Sequence, residues 1–132
     1  MVSLLCLSCV VSTPSAHVQK TPSRTEDWEY SSALAAANRF LEAWQSQDHE
    51  TGMMMLTDAA REHADRDRLQ KFFASLPPAA FEIHRGKRRD RGDYVFPVVL
   101  FGFSDPPSRP HLSKIIITKL ASNEWAIDRL PR

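Results

Sequence analysis

Three side chains in this sequence are of the types that proton transfer uses. Asp128 stands between Ile127 and Arg129, in a C-terminal segment that alternates apolar and polar residues. A carboxyl turned from such a strand into an apolar hollow has its pKa raised by desolvation and can act as a general base. Tyr94 opens a second strand-like segment, and its phenol can donate to a developing oxyanion. His84 follows Glu82 by two positions, so the pair shares one strand face and can make a base with its orienting partner. Each has an ordinary structural reading as well. Asp128 can pair with Arg129 at a sheet margin, and Glu82 with His84 can be solvent-side residues.

Other chemistry has less support. The five histidines (His17, His49, His63, His84 and His111) are scattered, no HExxH spacing occurs, and the one CxxC, Cys6-Leu7-Ser8-Cys9, lies in the apolar N-terminal run, so neither a metal nor a cofactor is expected. Four dispersed glycines make no phosphate-cradling loop, and no serine sits in a nucleophile elbow. A basic run, Arg85, Lys87, Arg88, Arg89 and Arg91, reads as a solvated hairpin tip or as a contact for phosphate or anionic lipid. Over the whole chain 17 basic residues meet 16 acidic ones, with an acidic excess in residues 1–79 and a basic excess in 80–132. A net charge of +1 argues against a globally basic nucleic-acid binder, and no nucleic-acid partner is expected.

The elements that must position these groups follow from periodicity. A chain of 132 residues has room for one domain with one core. Tyr30, Ala33, Leu34, Ala37, Phe40, Leu41 and Trp44 recur at spacings of three and four, which predicts a helix over 26–47. A shorter second helix starts at Asp48 or Thr51 and runs through Met53, Met54, Met55 and Leu56, with Gly52 weakening its start. A third, capped by Asp65 or Asp67, carries Leu69, Phe72, Phe73 and Leu76 and stops at Pro77-Pro78. Beyond Pro78 the period becomes two. Residues 80–89 and 94–103 read as a hairpin closed by Asp90-Arg91-Gly92-Asp93, and Pro97 predicts an edge or a bulge. Leu112 to Leu120 and Glu124 to Leu130 are the remaining strands, joined by a tight turn at Ser122-Asn123.

Helices followed by strands predict an α+β fold: three N-terminal helices packed on a curved four-stranded antiparallel sheet, spanning residues 26–132. Two strands are apolar on both faces, so the face turned away from the helices also needs cover, and a homodimer packed through the sheet is expected. Trp44, Met54, Phe72, Phe96, Ile116 and Trp125 are the expected lining of a ligand pocket between helix and sheet. Its methionines and phenylalanines suit either an adaptable apolar pocket or a plain core.

The first sixteen residues differ from the rest. Val2 to Val11 is almost wholly apolar, too short for the roughly 20 residues that span a bilayer, and is followed by Ser12 to Ala16, small and turn-forming. That order predicts a secretory signal or apolar leader over 1–16 and a secreted or periplasmic protein, although no Lys or Arg precedes the apolar run. Leu7-Ser8-Cys9 offers an alternative, a lipid anchor, which is the one membrane contact expected; retention as an apolar tail is the third reading. Both cysteines, Cys6 and Cys9, lie in this segment, so a processed chain has no disulfide. Residues 17–25 are polar and read as a disordered linker.

The chain resembles the nuclear transport factor 2-like superfamily, the cystatin-like α+β cone. The resemblance is carried over residues 28–131 by Phe40-Leu41-Glu42-Ala43-Trp44 with Asp48 four positions on. The methionine-rich second helix, Leu56-Thr57-Asp58 and the strand Glu124-Trp125-Ala126-Ile127-Asp128-Arg129-Leu130 complete it. It implies a strongly bent sheet closed around the long helix and a cone-shaped pocket, as in small secreted bacterial members. Members that are ketosteroid isomerases or polyketide cyclases place an Asp base and Tyr or Asp oxyanion donors inside the cone; no residue here aligns onto that base, and Asp128 and Tyr94 are candidates by strand position only. Two functions are therefore expected. The first is a non-enzymatic module that binds a small apolar or amphipathic ligand, or a protein partner, through the concave sheet. The second is a small isomerase or cyclase. A cone filled by side chains favours the first, and a pocket with two buried ionisable groups favours the second.

Overall fold

The computed structural model describes residues 24–132. The leader 1–16, both cysteines and residues 17–23 of the expected linker lie outside the described residues. Arg24 and Thr25 already belong to the first helix.

Helix α1 (Arg24–Gln45) buries one stripe completely: Ala33, Ala37, Phe40, Leu41 and Trp44. Spacings of three and four put these five on one face, and the alanines among them let the sheet approach closely. Gln47 ends the helix in the left-handed region (φ 59°) and turns the chain back. Its side-chain amide donates to the Ser75 carbonyl at 2.6 Å, while the Ser75 hydroxyl donates to the Trp44 carbonyl at 3.1 Å. The Trp44 carbonyl at the helix end is thus met from a distant loop.

Three short helices follow, each started by an acidic or hydroxyl cap. They are α2 (His49–Met54) behind Asp48, α3 (Asp58–His63) behind Thr57, and α4 (Arg66–Phe73) behind Asp65. Three helices were expected in all, and α3 is the additional one. It spans six residues and buries one of them, Ala60, so it leaves no apolar period to read. The expected third helix is α4, which stops at Phe73, four residues before Pro77.

The strands are β1 (Ala80–Ile83), β2 (Lys87–Arg88), β3 (Tyr94–Phe101), β4 (His111–Lys119) and β5 (Trp125–Arg129). All pairs are antiparallel, in the order β1-β3-β4-β5, with β2 continuing beside β3 where β1 ends. Five strands replace the four expected because residues 80–89 do not run on as one. The break falls opposite Phe96-Pro97, where the proline lacks a ladder donor and the chain at Gly86 gives way to the Phe96 ring. The irregularity predicted at Pro97 is therefore present, but β3 is an inner strand and not an edge. The sheet is curved and unclosed, and α1 lies across it, touching β1, β3, β4 and β5. No described helix is long and apolar enough to cross a membrane.

Candidate functional site

The concave side of the sheet is where a cone would hold a ligand. Along β3 the residues Tyr94, Phe96, Val98 and Leu100 turn inward and are buried. Ile115 and Ile117 of β4 and Ile127 of β5 join them. Against these stand Phe40 and Trp44 from α1 and Phe72 and Phe73 from α4. Phe72 is a hub: its ring centroid lies 5.7 Å from Phe40, 5.1 Å from Phe73 and 6.3 Å from Trp44. Tyr30 and Tyr94 close the other end around Phe96, at 5.5 and 6.2 Å. Offset and edge-on rings at these distances pack as in any protein core. The hollow is thus occupied by the protein's own side chains. One polar atom inside it, the indole nitrogen of Trp44, is buried with no hydrogen-bond partner among the described residues.

The candidate chemistry does not converge there. Asp128 is half-buried at the sheet margin, where β5 bulges: Ile117 pairs with Ile127 and Ile116 with Arg129, so Asp128 is the extra residue. It accepts the Thr57 hydroxyl at 3.2 Å. With His63, Arg68 and Arg129 it is among the residues that line a concavity of about 270 Å³. Tyr94 is buried within the aromatic packing, its ring 5.7 Å from Tyr30 and 5.6 Å from Trp125. His84 is exposed on the outer side of the sheet, 3.5 Å from Glu82, as their shared strand face predicts. A base, an oxyanion donor and an orienting pair are therefore in three separate places. Among the described residues no three of His, Cys, Asp and Glu are grouped to hold a metal ion.

The six expected pocket residues separate in the same way. Trp44, Phe72 and Phe96 are in the filled interior. Ile116 is buried but faces outward, opposite Val95. Met54 and Trp125 instead line an open groove of about 730 Å³ between α1, the α2–α3 segment and the β4–β5 turn. Met54, the middle of three methionines, is 76% exposed there, while Met53 and Met55 lean on the core. The groove also has Arg39 on its wall, and no residue signal other than its place on the polar side of α1 marked that arginine.

The basic run forms the tip around β2. Arg85, Lys87, Arg88, Arg89 and Arg91 are all exposed, and the turn closes through Gly92 (φ 84°) with the Arg89 amide donating to the Asp93 carbonyl at 2.8 Å. Arg88 is not free, since it meets Glu29 of α1 at 3.3 Å. Lys119 donates to the same carboxylate at 2.9 Å. That hydrogen bond, then the charges of Lys119 and Arg88, hold the Glu29 carboxyl below its ordinary range.

The outer face of the sheet is the other notable surface. Val95, Pro97, Val99 and Phe101 alternate with the buried residues of β3. Val95 is paired with Ile116, Pro97 with Lys114, and Val99 with both Glu82 and Leu112. Leu112 is 77% exposed. A concavity of about 620 Å³ on this face is lined by Val95, Pro97, Leu112, Lys114 and Ile116 with Arg129.

No family model matches the chain, and no curated protein matches it in sequence. In three dimensions it is similar to a ketosteroid isomerase-like protein of Erwinia carotovora atroseptica, seen in a crystal structure. The TM-score is 0.53 at 15% identity, and the match covers 76% of this chain and 92% of the other. With α1 laid across a bent antiparallel sheet and short helices closing one end, the chain has the α+β cone of the nuclear transport factor 2-like fold.

Proposed function

We propose that this protein is an interaction module which pairs with a second copy of itself through the outer face of its sheet. The observation that carries this reading is the apolar stripe of Val95, Pro97, Val99 and Leu112 on adjoining strands, with Pro97 and Leu112 exposed and Val95 and Val99 half-buried. A stripe of this kind, rimmed by charge, marks a protein contact. The charges favour a like partner. Glu82 flanks the stripe on the β1 side, and Lys114 with Arg129 flanks it on the β4–β5 side. In a two-fold pair with the axis along the strands, the β1 flank of one copy lies over the β4–β5 flank of the other, so Glu82 comes near Lys114 twice, while Lys87, level with Val95, comes on the side of Arg129. The filled interior supports the same reading, because a ligand inside the cone would have to displace Phe72 or Phe96.

An isomerase reading draws on the likeness to the ketosteroid isomerase-like protein. It needs a base within the cone, and Asp128 sits at the margin, bonded to Thr57. The interaction reading is the stronger. The apolar run and small-residue zone of residues 1–16 support export as the setting in which the module works.

Sedimentation equilibrium tests the proposal. The expected result is a dimer for the unaltered protein and a folded monomer for Leu112→Glu. Glu82→Lys and Lys114→Glu should each weaken the dimer, and the double variant should restore it. A monomeric unaltered protein at high micromolar concentration, or a Leu112→Glu variant that dimerises as before, would overturn it.

A further inference from the structure

The geometry points to a second binding site, which shares no lining residue with the concavity on the outer sheet face: the groove between α1 and the β4–β5 turn takes an amphipathic monoanion. Its carboxylate would sit on Arg39, and its apolar body against Met54, Leu120 and Trp125. This site does not depend on the pairing proposed above.

Four observations converge. The groove's volume, about 730 Å³, is within the roughly 300–1,000 Å³ of small-molecule sites. Its apolar wall is exposed: Met54 is 76% and Leu120 is 38% accessible, and Trp125 is half-buried with its ring held edge-on against Tyr94. Large apolar side chains are left open here on three separate elements, which scattered surface residues are not. Methionine beside tryptophan gives a wall that is adaptable on one side and rigid on the other.

The polar groups select the sign of the ligand. Arg39 and Arg61 are the cations of the lining, against Asp58 and Glu124. Arg61 is already engaged by the Asp58 carboxylate three residues before it. Glu124 stands by the β4–β5 turn, next to the Ser122 hydroxyl at 3.4 Å. Arg39 has no carboxylate partner among the described residues and is exposed. Its planar fork suits a carboxylate. Ser32 and Arg39 line the same groove seven residues apart on α1, so the wall is about 10 Å long. An acyl chain or a small ring system ending in a carboxylate fits that length with its charge at one end.

Calorimetric titration with sodium decanoate below its micellar concentration tests the site, with decyltrimethylammonium as the chain of opposite charge. The expected result is saturable binding of one decanoate per chain, weakened about tenfold or more in Arg39→Met and abolished in Met54→Glu. Trp125→Phe should remove a change in tryptophan emission on binding that the native protein shows. Vesicles of anionic phospholipid distinguish a free anion from a membrane surface: decanoate should bind when vesicles do not. Absence of saturable decanoate binding, equal binding by decyltrimethylammonium, or undiminished binding by a folded Arg39→Met variant would each overturn the proposal. So would binding to vesicles alone. Leu112→Glu should leave decanoate binding unchanged, which keeps this result separate from the test of pairing.

Discussion

The Thr57 hydroxyl donates to Oδ1 of Asp128 at 3.2 Å, joining residues 71 positions apart. The same hydroxyl accepts the Ala60 amide at 3.0 Å as the cap of α3. Around it the backbone closes too: the Thr57 amide donates to the Ile127 carbonyl at 2.9 Å, and the Ile127 amide to the Met55 carbonyl at 2.8 Å. The free edge of β5 is thereby covered by the α2–α3 segment. Asp128 is bonded at that seam.

Removing the hydroxyl should therefore cost more than removing the charge. Thr57→Val loses a helix cap and leaves the Asp128 contact unmade, an expected loss of about 1–2 kcal/mol. Asp128→Asn keeps the acceptor and should change stability by less than about 0.5 kcal/mol. Urea unfolding midpoints of the two variants check this order, and the reverse order would show that the Asp128 charge, more than the Thr57 hydroxyl, holds the seam.

Glu29 makes stability depend on pH. Its carboxyl is held below the ordinary glutamate range by the Lys119 hydrogen bond and by the charges of Lys119 and Arg88. A depressed folded value means that the contribution is fully present above the unfolded value of about 4.3 and is lost as pH falls through the folded value. The unfolding midpoint of the native protein should exceed that of Glu29→Gln at pH 7, and the gap should close towards pH 3. Added salt should narrow the gap at pH 7, since the cluster is near the surface.

At Gly52 two effects oppose each other. Alanine in a helix is favoured over glycine by about 1 kcal/mol. A Cβ at Gly52 would, however, overlap the Phe73 ring, which is buried and itself stacked on His49 at 5.2 Å. Overpacking of this kind costs about 1–3 kcal/mol, so Gly52→Ala should destabilise. A midpoint that rises would show the ring free to retreat.

Opening the interior should be expensive. Phe72 contacts Phe40, Phe73, Trp44 and Phe103. Phe72→Ala should cost about 3–5 kcal/mol through lost burial and the cavity left behind. If the variant folds, added benzene should raise its melting temperature and leave that of the native protein unchanged. Equal stabilisation of the native protein would mean that the cone is already hollow.

How much was legible in the sequence depended on the range of the forces involved. The long helix was legible because Ala33, Ala37, Phe40, Leu41 and Trp44 repeat locally with the helical period. The caps at Asp48 and Asp65 were legible because each needs only the next three residues. Strand existence, and so the α+β class, followed from alternation and from turn residues such as Asn123 (φ 63°), while the cone was implied by the family resemblance. The helix α3 was not read, although Thr57 before Asp58 was the cap that could have announced it, because a single buried alanine gives no period.

What only the tertiary structure decided was where the readable residues go. Inward and outward faces of a strand are equivalent by sequence when both are apolar, as at Tyr94 to Phe101. Packing against α1 alone sent Phe96 into the core and left Val95 and Pro97 outside. Gly52 reads as a weak helix start and is in fact the place where the Phe73 ring comes close. Asp128 reads as a strand carboxylate inside the cone, but a bulge in β5 and a hydroxyl 71 residues away set it at the seam, where it lines a concavity outside the packed interior. Local periodicity sets which elements form. The filling of the hollow, the groove beside Arg39 and the exposed outer stripe arise from long-range contacts that no window of sequence contains.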